Sequence, residues 1–135
     1  MPPVTPMNTR LLMIASSVFL GIVGLVATFA PVELLHALGA SSAAPVPLVV
    51  QLLGALSVGF ALTNWTSKDN AIGGIYSRPI SLGNSVHFTV GALALAKGGL
   101  GPGASPLLVA GFSMYALFAA RFLWLVFGSQ GPRQR

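Results

Sequence analysis

Cysteine does not occur in this chain. Its absence excludes disulfides, thiolate-held metals, iron–sulfur clusters and redox dithiols at one stroke. Carboxylates are almost as scarce, since Glu33 and Asp69 are the only two, so no pair is available for general acid–base work. No nucleophile sits beside its base, and no glycine-rich loop leads into Lys-Ser/Thr. Intramembrane acids in a conducting row are missing too. The residues therefore lean away from an enzyme. Charge of either sign is thin: 7% of 135 residues, against 54% hydrophobic. Soluble domains carry roughly a quarter charged residues, so lipid rather than water is the expected solvent. The net charge of +5 comes from seven scattered Lys and Arg residues, which make no basic stripe for nucleic acid.

What is present is apolar sequence in blocks the length of a membrane span. Residues 11–30, 46–65, 79–97 and 105–127 each suit a helix crossing roughly 30 Å of hydrocarbon. The expected fold is all-α: one membrane domain, 1–135, forming a four-helix up-down-up-down bundle. The first ten residues, rich in proline, read as a disordered lead-in, and 32–38, too short to cross, as an interfacial segment. Prolines at Pro47 and Pro79 fit first turns, and Ser105-Pro106 opens the last span. With four spans, Arg10, Lys68, Arg78, Arg133 and Arg135 share a side that opposes only Lys97. The positive-inside rule then places both termini in the cytoplasm.

Small residues recur at helical spacing in the first two spans. Ser17, Gly21, Gly24 and Thr28 form one stripe, and Gly54, Ser57, Ala61 and Asn64 form another. Such stripes let helix backbones approach closely. Polar side chains inside hydrocarbon need a partner or a function. Depth counting brings Ser17, Asn64, Asn84, His87 and Arg121 into the cytoplasmic half, where they form a candidate ligand site. The two asparagines read first as a helix-pairing hydrogen bond, and Arg121 as a snorkelling cation or a partner for Asp69. His87 reads as a hydrogen-bonding residue of that cluster. Ligand contact is the alternative for His87, and no cofactor is expected. His36 falls on the opposite side of the membrane, which excludes bis-histidine haem within this chain and leaves open only a five-coordinate haem or an axial ligand from another subunit. Glu33 and His36 do not complete a metal site.

FAPVELLHALGA after the first span, QLLGALSVGFALTNW in the second and GNSVHFTVGALALAKG in the third together resemble small bacterial inner-membrane four-helix proteins of the DoxX-like type. That resemblance covers most of the chain through helix order and small apolar patterns. It implies a connection to quinone or respiratory chemistry and transfers no catalytic residue. Three functions follow from the whole. The leading one is a non-catalytic subunit or assembly partner, with other membrane subunits or copies of itself as partners. The second is quinone or lipid binding within the bilayer, including as a component of a respiratory oxidoreductase, and the third a small oligomeric transporter or channel.

Overall fold

A computed structural model describes residues 6–69 and 77–128. All of the regular structure in them is helical. Helix α1 spans Pro6–Phe29, α2 Pro31–Ala37, α3 Val46–Ser67, α4 Ser77–Gly99 and α5 Pro106–Leu123, the last running on through a π-helical turn, Trp124–Gly128. Residues 6–10 are helical, not the disordered lead-in expected, because nothing between Pro6 and Arg10 interrupts a helix once proline has opened it. The Gly73-Gly74 turn and the Tyr76 anchor expected between α3 and α4 lie outside the described residues.

Local chemistry accounts for the helix ends. Pro31 and Pro47 occupy first-turn positions of α2 and α3, where a missing N–H is no loss. The Ser105 hydroxyl accepts from Leu107 N at 3.2 Å and caps α5. Helix α2 stops in a Schellman motif: Gly39 adopts φ 69°, its N–H bonds His36 O, and Ala40 N bonds Leu35 O. A side chain at Gly39 would strain that left-handed turn.

Among the described residues three helical stretches are long and apolar enough to cross a membrane: Thr9–Phe29, Val46–Ser67 and Pro106–Gly128. Helix α4 has 23 residues, but Arg78, Asn84, Ser85, His87 and Lys97 reduce its hydropathy. The expected fourth span is thus a helix of spanning length and more polar character than the others.

The helices are organised as two hairpins. Helix α1 lies along α3 and α4 along α5, whereas α3 meets α4 at few positions. Both hairpins are antiparallel, since contacts run Ser17 to Ala61, Gly24 to Gly54 and Thr28 to Gln51 in the first. In the second they run from Gly91 against Tyr115 to Gly99 against Leu108. The two small-residue stripes of α1 and α3 face each other. A Cβ on Gly54 would stand 2.5 Å from Thr28 Oγ1 and 2.8 Å from Gly24 O, so the two backbones touch here. The hairpins join through an aromatic and aliphatic core near their terminal ends, where Leu20, Phe88 and Phe122 are fully buried and Met13 and Phe118 nearly so. Phe88 stacks on Phe118 and Phe122 with centroids 4.9 and 5.7 Å apart. Towards α2 the hairpins separate.

Candidate functional site

The sequence-derived cluster divides into two environments. Asn64 on α3 and Asn84 on α4 are buried and exchange amide hydrogen bonds, 2.8 Å from Asn64 Nδ2 to Asn84 Oδ1 and 2.7 Å in return. Asn64 Nδ2 also donates to Ser16 Oγ at 3.0 Å, and Asn84 Nδ2 to Ile80 O at 2.9 Å. Ser16 passes its own proton to Met13 O at 3.1 Å. Each amide nitrogen thus spends both of its protons and each amide oxygen accepts one. The ring is closed on itself, with no donor left over for a ligand. Its position makes it the polar joint between the two hairpins.

Ser17 lies next to this ring but serves the first hairpin, donating to Ala61 O at 2.7 Å. Arg121 is exposed on α5. It does not take Asp69 as partner: Arg10 Nε holds that carboxylate at 2.7 Å, with Lys68 Nζ at 3.6 Å. The hydrogen bond from Arg10 keeps the Asp69 carboxyl below its ordinary range. Glu33 and His36 are exposed, His36 bonding Ser42 Oγ at 3.2 Å. Among the described residues no group of three His, Cys, Asp or Glu could hold a metal ion.

His87 is separate from the asparagines. It lies three residues beyond Asn84 on α4, offset by only about 60° about the helix axis, yet its side chain lines the space between the hairpins. There it stacks on Phe60 of α3, centroids 4.6 Å apart at 25°, and meets Phe88 edge-on at 5.2 Å. The Tyr115 hydroxyl of α5 stands 3.4 Å from His87 Nε2. Gly91 makes this arrangement achievable, since a Cβ there would lie 2.5 Å from the Tyr115 ring. The Tyr115 ring therefore rests directly on the α4 backbone.

The space that His87 and Tyr115 face is a cleft of about 1180 Å³, open on one side and lined by α1, α2, α3, α4 and α5. Its walls include Val23, Leu53, Leu56, Val90, Leu107 and Met114. The polar side chains among its described lining residues are Ser57, His87 and Tyr115, and Ser57 is already committed to Leu53 O. Sequence reasoning singled out His87 and passed over Phe60 and Tyr115. The signal for Tyr115 was present: Tyr115, Phe118 and Phe122 fall at i, i+3 and i+7, an aromatic stripe on one face of α5.

No family model matches the chain, and neither a curated protein nor a solved structure does. The class rests on the molecule alone, an all-helical, membrane-embedded protein built from two hairpins with an apolar cleft between them.

Proposed function

We propose that this protein is non-catalytic and holds an amphiphile in the cleft between its hairpins. The observation that carries this is the cleft itself: an apolar space within the helical assembly, with one polar pair, His87 and Tyr115, on its wall. Ligand sites are commonly concave, mostly apolar and marked by a few convergent polar groups. The closed asparagine ring supports the same view by removing the competing polar cluster from consideration. A quinone ring or a lipid with its tail between the helices would suit such a cleft, and a DoxX-like relationship would agree with the former. In this reading α4 is a fourth span and both termini lie in the cytoplasm. Because the chain has no cysteine, single cysteines at residues 69 and 101 report orientation by labelling in intact cells; labelling of both from one side contradicts it. Native mass spectrometry of protein extracted in mild detergent is expected to show a bound small molecule at near-unit occupancy, and bare protein alone would contradict the proposal.

A second reading, a subunit of a larger assembly, draws on the outer face of α3. Ala55, Gly59 and Thr63 recur every fourth residue there and are exposed, and the Thr63 hydroxyl is turned back onto Gly59 O at 2.9 Å. Such a smooth face suits another helix. Isolation as a lone monomer would count against it.

A further inference from the structure

We infer that the cleft selects an uncharged amphiphile with a single hydroxyl or carbonyl head, which docks at His87 and Tyr115 while its tail runs along α4 and α5 towards α2. This rests on the cleft being a ligand site and adds the chemistry of the ligand. Three observations carry it. First, no Lys, Arg, Asp or Glu appears among the described residues lining the cleft, so neither a phosphate, a carboxylate nor an ammonium head would find a counter-charge. Second, His87 lies 10 residues into α4 and 12 from its end, about 15 to 18 Å of helix on either side. That is the middle of a span, where a charged head is most costly. Third, the pair has capacity to spare. A neutral imidazole and a phenol together offer two donors and at least two acceptors, and the contact between them uses one of each at 3.4 Å. A hydroxyl or ketone oxygen can complete the remainder, whereas a purely hydrocarbon occupant would leave it unmet.

The walls agree with a single chain. Leu53, Leu56, Val90 and Leu107 contribute no side-chain hydrogen-bonding groups, so polar recognition is confined to the His87–Tyr115 pair. Gly111 leaves open space where its side chain would be, on the α5 wall.

The test uses full-length protein in detergent and three 18-carbon probes that differ in head group: oleyl alcohol, octadecyl sulfate and octadecyltrimethylammonium. Displacement of a cleft-bound fluorescent alkyl probe is expected to favour oleyl alcohol at least about tenfold over either permanently charged probe. Tyr115→Phe keeps the ring and its packing and removes only the hydroxyl. It is expected to weaken the alcohol roughly threefold to tenfold and leave the charged probes unmoved; His87→Leu should do the same. Equal binding of all three probes, or no effect of Tyr115→Phe at an unchanged unfolding midpoint, overturns the neutral-head assignment while leaving the cleft a ligand site. Binding of none of the probes overturns both.

Discussion

Gly54 and Gly59 stand five residues apart on α3 and differ in what surrounds them. A Cβ at Gly54 would enter the space of Thr28 Oγ1 and the Gly24 carbonyl, while one at Gly59 meets nothing within 4 Å. Gly54→Ala is therefore expected to force α1 from α3 and lower stability by about 1 to 3 kcal/mol. Gly59→Ala should be neutral or stabilising through helix propensity. Unfolding midpoints of both variants in one detergent check the contrast, and equal midpoints would mean that the backbones do not touch at Gly54. The asparagine ring makes a different kind of claim. Replacing Asn64 or Asn84 alone by Leu strands a buried amide and should cost about 1 to 3 kcal/mol, whereas the double replacement removes both polar partners together and should cost less than the sum. A double-mutant cycle by thermal unfolding measures that coupling, and strict additivity would deny the bond. Asp69 is the remaining residue whose energetics can be read directly. Its folded pKa is lowered by Arg10, so its stabilising contribution is complete above the unfolded value of about 3.9 and vanishes as pH falls through the folded one. The pair is well exposed, so the effect is small and screened by salt. The difference in unfolding midpoint between wild type and Asp69→Asn should stay flat between about pH 5 and pH 8 and close only below about pH 4. A difference that closes near neutrality would assign it to another group.

Among the elements, α4 shows most clearly why some of the structure was legible in sequence and some was not. Hydrophobic blocks and prolines located all four long helices to within a few residues of Pro6–Phe29, Val46–Ser67, Ser77–Gly99 and the α5 stretch from Pro106. Spacing of small residues also identified the faces by which α1 and α3 pack, because helical geometry alone puts Gly24 and Thr28, or Gly54 and Ser57, on one side. Depth likewise suggested Asn64 beside Asn84, and they do bond. Depth could not say how far each helix is rotated about its axis. His87 is three residues from Asn84 and so at a similar level, yet it faces Phe60 and Tyr115 across the cleft. The pairing of Asp69 with Arg10 rather than Arg121 has the same origin, since it depends on α1 and α3 being neighbours along their whole length.

At the scale of the whole molecule, two hairpins are pinned at one end and parted at the other. Near the terminal ends, Phe88 stacked on Phe118 and Phe122, together with the amide ring, hold the hairpins in contact. Beyond Phe60 and His87 the cleft is walled mainly by apolar residues, among them Leu53, Val90 and Leu107. Across the far end, Ser105 at the start of α5 donates to Ala37 O at 3.2 Å and ties α5 to α2. Between these ties lies the cleft. The central claim is that this space is occupied by a ligand. Gly111 gives the most direct test, because it lines the cleft and a Cβ there would meet nothing within 4 Å. The measurement is native mass spectrometry of wild type and Gly111→Leu, extracted identically and matched for unfolding midpoint. The prediction is a bound amphiphile retained by wild type and lost from Gly111→Leu; equal retention by both proteins would contradict occupancy of the cleft.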